Sequence, residues 1–393
     1  MNIGSPGTPG QNISLSEQLT IMDKIKSFIK QEAVLCLATL LAAVSSFWQT
    51  PKIEYIDFGV LSILLSLMLV VAGLKSIRFL DWLAVLLLNR CRSQRQVTVA
   101  LLTVTYISSM FVTNDVALIT FVPLAIVIGR TIEMDMSRTI ILQTLAANLG
   151  SMATPPGNPQ NLFLYAFFDY DLVGFFQAML PSTLLAIVFL LGLSFRTKSR
   201  SLALALPEPE QPERGKTLMY LALLLLNIGA VIHFVDKYIA LAITVVFFAV
   251  TKRMLFRVVD YSLLVTFVGF FIFIGNISHT DVVEMIRTGL LSGQGGTYLA
   301  GLGLSQVVSN VPAAMLLAGL TDRANADALL VGVNVGGMGT LIASMASVIS
   351  FKLFVLEHPA QAGAYMRMFT YYNVIGLVLI GALTYYLQFF PGI

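Results

Sequence analysis

Two short polar stretches stand inside otherwise apolar sequence: Thr113-Asn114-Asp115, set between Phe111-Val112 and Val116-Ala117, and Ser309-Asn310, followed by Val311. In hydrocarbon an ionisable side chain is costly and by default marks a pathway or a binding site. Each stretch supplies a hydroxyl and a carboxamide, groups that can face a hard cation or an anion, and Asp115 adds a carboxylate able to ligate Na⁺ or to carry a proton. Two further stretches interrupt apolar segments: Gly150 to Asn161 and Gly336 to Ala346. In the first, Pro155, Pro156 and Pro159 remove backbone donors and cannot continue a helix. Unwound backbone at membrane depth is tolerated only where it is buried in protein or lines a wet cavity. There its carbonyls suit a small cation and the half-helix N-termini suit an anion.

The expected substrate-binding residues are Asn114, Thr113, Ser309, Asn310, Thr154 and Thr340. The expected ion-binding residues are Asp115, Asn114, Asn148, Gly150, Asn158, Asn310, Asn334 and Gly336, with no metal other than Na⁺ and no catalytic group. A lone Asn at a turn serves equally well as a helix cap or a left-handed residue. Recurrence of the Asn after a hydroxyl residue is what argues for a ligand role. Gly150, Gly336, Gly337 and Gly339 also suit close helix packing.

These stretches need elements to hold them, and the composition names the solvent. The 393 residues are 57% hydrophobic and 11% charged, with mean hydropathy +0.83, against about a quarter charged in soluble domains. Apolar runs near the roughly 20 residues of a bilayer crossing recur from Ala33 to Phe389, leaving no room for a large water-soluble domain. An all-α polytopic membrane protein follows. Orientation reads from the basic residues: Lys24, Lys26 and Lys30, then Lys75 and Arg78, then Arg90, Arg92 and Arg95, place the N-terminus in the cytoplasm of a plasma or inner membrane. No cleaved signal peptide is expected, and Asn12-Ile-Ser14 is a chance sequon. Cys36 and Cys91 are too few for a disulfide framework.

In order, the chain reads as an N-terminal cytoplasmic or interfacial segment, 1–32; a first repeat, 33–195; a cytoplasmic linker, 196–216; a connecting span, 217–235; and a second repeat, 236–393. Residues 97–130 admit either two full spans or a re-entrant hairpin turning inside the membrane. Limbs of about 14 to 16 residues, short of the roughly 20 of a full span, favour the cytoplasmic-side hairpin. Residues 296–321 form its external-side counterpart. Phe79 to Asn89 is an interfacial arm. About nine transmembrane helices plus two hairpins result.

The halves match by eye. Asp57-Phe-Gly-Val-Leu is similar to Asp260-Tyr-Ser-Leu-Leu, each followed by a short semi-polar helix, the second being His279 to Leu290. Asn148-Leu-Gly-Ser-Met-Ala-Thr154 is echoed by Asn334-Val-Gly-Gly-Met-Gly-Thr340. One odd crossing between them makes the repeats inverted in topology, each with a hairpin and a discontinuous helix.

These paired motifs resemble the ion transporter superfamily that includes divalent anion/sodium symporters, citrate carriers and arsenite permeases. The resemblance implies that the two tips and two unwound helices converge on one site, carried by a moving transport domain against a static scaffold. It departs from the divalent anion symporters, which carry Ser-Asn-Thr at both tips; Asn114-Asp115 looks more like the arsenite permease version. Set against larger members, the resemblance implies one leading span fewer in this sequence. The implied function is secondary transport of a small anion, a di- or tricarboxylate, coupled to Na⁺ or H⁺ by an elevator movement, with arsenite or antimonite efflux as the alternative. Expected partners are the small anion and membrane lipid, with a homodimer as the assembly to test and no nucleic acid; no cofactor is expected beyond the coupling ion. An intramembrane enzyme would need paired carboxylates, a His-Glu-x-x-His or a phosphate loop, and the chain carries none of these motifs. His233, His279 and His358 read as interfacial, and Lys352 as snorkelling from a helix end to the cytoplasm.

Overall fold

In an apolar surrounding each backbone amide needs a partner inside its own element, which makes helices the outcome for such a chain. A computed structural model describes residues 32–197, 199–201, 211–278, 285, 289 and 291–390. The N-terminal segment through Gln31, residues 202–210 of the expected linker and most of the expected helix His279 to Leu290 lie outside the described residues. The helices are α1 Ala33–Ser45, α2 Phe58–Ser76, α3 Phe79–Leu88, α4 Gln94–Val112, α5 Asn114–Thr131, α6 Ser137–Ser151, α7 Pro159–Phe167, α8 Leu172–Phe195, α9 Arg214–Val231, α10 Lys237–Thr251, α11 Tyr261–Ile277, α12 Gly293–Val308, α13 Asn310–Ala318, α14 Ala326–Val335, α15 Met345–Glu357 and α16 Ala362–Thr384. No strand occurs among the described residues.

Acidic residues just outside the apolar segments start several helices. Asp57 accepts from the amides of Gly59 and Val60 at 2.8 and 3.0 Å, Asp236 from Tyr238 and Ile239, and Asp260 from Leu263 at 3.0 Å, satisfying N–H groups that a helix leaves open at its beginning. Asp57 and Asp260, matched in the sequence, thus do the same work on α2 and α11.

Among the described residues six helical segments are long and apolar enough to cross a membrane: α2, α4, α5, α8, α9 and the C-terminal stretch Pro359–Phe389. Two of the six, α4 and α5, are the limbs of the expected hairpin, so four of the nine expected crossings are among them; α1, α10 and α11 run to only 13, 15 and 17 residues, and the α6–α7 and α14–α15 segments are interrupted. The limbs of residues 97–130 are also longer than expected. Ser93 caps α4 by accepting from Gln96 N at 3.3 Å, so its polar first turn is helical and the limbs reach 19 and 18 residues; limb length therefore gives no argument for a hairpin.

The helices pack as two sets. In one, α1 lies on α11 and α2 on α9 and α10; in the other, α4 to α8 and α12 to α16 pack together. At the centre of the second set are α6 and α14, buried almost throughout. Such helices are apolar or internally satisfied on every side, and their contacts use glycine. A Cβ on Gly150 would fall on the Tyr106 carbonyl and Ser109 hydroxyl of α4, and one on Gly332 would crowd the Tyr298 carbonyl of α12. Small residues let backbones approach this closely.

Both central helices are broken. Chain 152–158, with a 3₁₀ turn at Pro155–Gly157, separates α6 from α7; chain 336–344, with one at Leu341–Ala343, separates α14 from α15. The two broken helices run antiparallel. Tyr170, beyond the end of α7, donates to Asp327 in the first turn of α14 at 2.6 Å. At the other end Ile140 of α6 shares a buried cluster with Phe354 of α15, and Arg130 pairs with Glu357. Basic residues gather at that end, where Arg138 donates to the carbonyls of Arg196 and Leu193 at 3.1 and 2.9 Å and Gln94 N donates to Arg200 O at 2.9 Å.

Candidate functional site

Each polar stretch is a one-residue break between two helices. Thr113 separates α4 from α5 with φ 72° and ψ 154°; Ser309 separates α12 from α13 with φ 79° and ψ 155°. Residues with side chains hold this region of the map at a cost of order 1–3 kcal/mol, and such strain clusters at functional sites. The following Asn does the same thing at both breaks: the Asn114 side-chain carbonyl accepts from Asp115 N at 3.0 Å, and that of Asn310 from Val311 N at 2.9 Å. After Thr113 the chain turns back, since the Gln143 amide touches both the Thr105 hydroxyl and the Phe121 carbonyl at 3.3 Å.

The helix breaks meet through a buried amide network. Asn148, near the end of α6, accepts from Asn114 Nδ2 at 3.2 Å and from the hydroxyl of Ser344, the residue at the N-cap position of α15, at 2.9 Å; it donates to Ser347 Oγ at 3.3 Å. Asn334, near the end of α14, accepts from Nδ2 of Asn158, the residue capping α7, at 3.1 Å and donates to Asn161 Oδ1 at 2.6 Å. The late Asn of each broken helix thus holds the N-cap residue and third residue of the other one. Buried polar groups with full partnership rigidify a site.

Four helix N-termini converge here: α5 at Asn114, α13 at Asn310, α7 after Asn158 and α15 after Ser344. A cavity of about 540 Å³ opens beside them, between the two helix sets. Asn114, Asp115, Ser309, Asn310 and Ser344 line it from one side, and residues of α1 and α11 from the other. Both tips therefore face one space. Partial positive charge at helix N-termini favours an anion, while the Asn and Ser oxygens and Asp115 can receive a cation.

Other expected residues lie elsewhere. Asn148, Asn158 and Asn334 belong to the supporting network. Gly150 and Gly336 are packing positions, the latter crowded by Ser305. Thr154 donates to Met110 O and is consumed in holding the break to α4. Thr340 is exposed, bonded to the Gln306 carbonyl at 3.0 Å, and does not line the cavity. Lys352, read as snorkelling from a helix end, is exposed and lines the cavity from the middle of α15, together with Asp260 and Gln160. Ser344, Ser347 and Asn161 were passed over; their positions at the start of a helix following a break are the signal that marks them. Among the described residues no group of three His, Cys, Asp or Glu side chains could hold a metal ion.

A family model described as citrate transporter matches residues 19–335. The inner membrane protein YbiR of Escherichia coli is 30% identical over 304 residues, covering 76% of this chain and 80% of that protein. The uncharacterized transporter MJ0456 of Methanocaldococcus jannaschii is 30% identical over 291 residues, 73% of this chain and 78% of that one. The putative transporter arsB of Dictyostelium discoideum is 25% identical over 132 residues, 34% of this chain and 23% of that protein.

Proposed function

The chain belongs to the citrate transporter family and is a multi-pass membrane transporter, not an enzyme, and we propose that it is a secondary carrier of a small anion, a di- or tricarboxylate, driven by Na⁺ or H⁺. The observation that carries this reading is the shared cavity: Asn114 and Asn310, each behind a strained hydroxyl residue and at a helix N-terminus, line the same space. N-termini attract the anion, the carboxamide oxygens and Asp115 attract the cation, and the two bound together cross at lower cost than either charge alone.

The repeats and hairpins belong to the same proposal. In its support, α5 packs on α15 and α13 packs on α7, an exchange of equivalent partners between the halves. The hairpins 97–130 and 296–321 are read as re-entrant from opposite sides, with α1, α10 and α11 as shorter crossings and the broken helices α6–α7 and α14–α15 as two more, which with α2, α8, α9 and the C-terminal stretch give about nine. The cavity's position between two helix sets supports an elevator movement, in which the set carrying both tips slides against α1, α2 and α9 to α11. The gathering of Arg95, Arg138, Arg196 and Arg200 at one end supports a cytoplasmic N-terminus in the plasma or inner membrane.

Purified protein in liposomes is expected to take up labelled carboxylate only under an inward Na⁺ or proton gradient. Absence of gradient-driven flux of any carboxylate sinks the proposal. Arsenite or antimonite efflux is the second reading, favoured by Asp115 at the first tip and by the similarity to the putative arsB transporter; gradient-driven arsenite flux without carboxylate flux would establish it instead.

A further inference from the structure

The charged lining of the cavity is lopsided. Among the described residues Glu32, Asp115 and Asp260 contribute carboxylates, and one cation, the exposed Lys352, lines the same cavity. Lys352 lies on α15 two helical turns beyond the N-cap Ser344, a rise of roughly 11–12 Å. The stretch of α7 that follows the other break, Pro159 to Phe167, carries no Lys or Arg. Asp115 is likewise without a carboxylate counterpart at the second tip, where Val311 stands. Helix α5 packs on α15, so these two asymmetric charges border one cavity from neighbouring helices. Among the described residues neither makes an ion pair.

Helical side chains tilt toward the N-terminus, and a lysine's four-carbon stem carries its ammonium a good part of the way from α15 back to the tips. An anion with two separated carboxylates can engage both ends, and a monocarboxylate only one. Among the described residues, three cavity carboxylates against one ammonium also favour binding such an anion with cations, not alone.

Resting on the anion-carrier reading above, we propose that Lys352 is the second anchor of the carried anion: the N-termini at Asn114 and Asn310 hold one carboxylate, Lys352 holds the other, and the site thereby selects polycarboxylates over monocarboxylates. A charged hydrogen bond of this kind corresponds to about tenfold or more in affinity. The resident alternative is a lysine that only meets solvent or headgroups and has no part in selection.

The test uses the full chain in liposomes, as wild type, K352Q and K352R, with uptake of labelled succinate and citrate and inhibition by propionate. K352Q is expected to raise KM for succinate and citrate about tenfold or more while shifting inhibition by propionate less than about threefold; K352R, which keeps the charge, is expected to retain the wild-type preference. Size exclusion and melting of the same preparations separate lost binding from lost fold. Equal changes for succinate and propionate in K352Q, an unchanged succinate KM, or a folded K352R that discriminates no better than K352Q would each overturn the role of Lys352. A wild type that carries no carboxylate at all overturns the transport reading itself, so the two failures are distinct.

Discussion

Asn158 Nδ2 donates to Asn334 Oδ1 at 3.1 Å across 176 positions of chain, tying the cap of one broken helix to the end of the other. Asn148 and Ser344 make the matching contact at 2.9 Å. Each broken helix therefore holds the start of the other's second segment. The unwound backbone itself is partnered mostly from nearby: Asn161 Nδ2 donates to the carbonyls of Ser151, Met152 and Thr154, Gln306 Nε2 to those of Gly336 and Met338, and Asn148 Nδ2 reaches across to Gly337 O at 3.4 Å.

Asn334→Ala should accordingly destabilise the fold. It leaves the Asn158 amide and the Asn161 carbonyl oxygen short of a buried partner, at about 1–3 kcal/mol. The double variant N158A/N334A should cost less than the sum of the single ones, with a coupling of about 0.5–3 kcal/mol. Apparent melting temperatures in detergent report both; strict additivity would mean the contact carries no energy.

The strained tips make a second expectation. Thr113→Gly and Ser309→Gly relieve a backbone conformation costing of order 1–3 kcal/mol, partly offset by the greater freedom of glycine in the unfolded chain. Each variant should melt no lower than wild type while losing transport, since the hydroxyl and the fixed direction of the following Asn are gone. A fall in melting temperature with transport intact would show that the conformation is not strained in the sense argued.

What the sequence made legible follows from how unusual each residue is in its setting. Three prolines in Pro155–Pro159 announce a break that no helix could bridge, and Asp115 between Phe111 and Ala117 is conspicuous because charge in hydrocarbon is rare. Asp57 and Asp260 could be matched because a cap sits where an apolar run begins. Ser344 and Ser347 could not be picked out, because serine is common and becomes informative only once the start of α15 is fixed. Thr340 was misjudged through its resemblance to Thr154: the second break uses Gly336, Gly337 and Gly339 where the first uses proline, and Gln306 takes up the Thr340 hydroxyl and amide. That Lys352 also lines the cavity could not be read, because linear distance to a helix end says nothing about which neighbour the helix packs against.

Tyr170 gives an expectation away from the cavity. It lies between α7 and α8, donates to Asp327 at 2.6 Å, and carries the Arg323 guanidinium 4.4 Å above its ring. Burial first, then the hydrogen bond to Asp327, push the phenol above its ordinary value of 10. The folded state thus favours the neutral phenol, and this contribution is fully present below about pH 10 and lost only as pH rises through the higher folded value. Tyr170→Phe should lower stability by about 0.5–1.5 kcal/mol, by an amount constant from about pH 5 to 9. The carried anion's KM should not change, as the contact lies inside the helix set that bears both tips; a raised KM would place Tyr170 on the transport path.

Asp115→Asn separates the coupling ion from the anion. The carboxylate faces the cavity beside Asn114, and an amide of the same shape keeps a cation-facing oxygen but can neither take up a proton nor neutralise Na⁺. If Asp115 carries the coupling charge, wild-type uptake rises as the outside is made more acidic or richer in Na⁺, and D115N uptake is flat against the same gradient. Anion binding should survive, read as a melting shift with succinate or citrate, because a ligand held only by the folded state raises stability by mass action, about 2.7 kcal/mol at one hundred times its Kd. A D115N protein that keeps a full gradient response removes Asp115 from coupling and leaves the Asn114 and Asn310 oxygens to hold the ion. One that loses the melting shift as well would show Asp115 to be needed for the anion itself, through the cation bound with it.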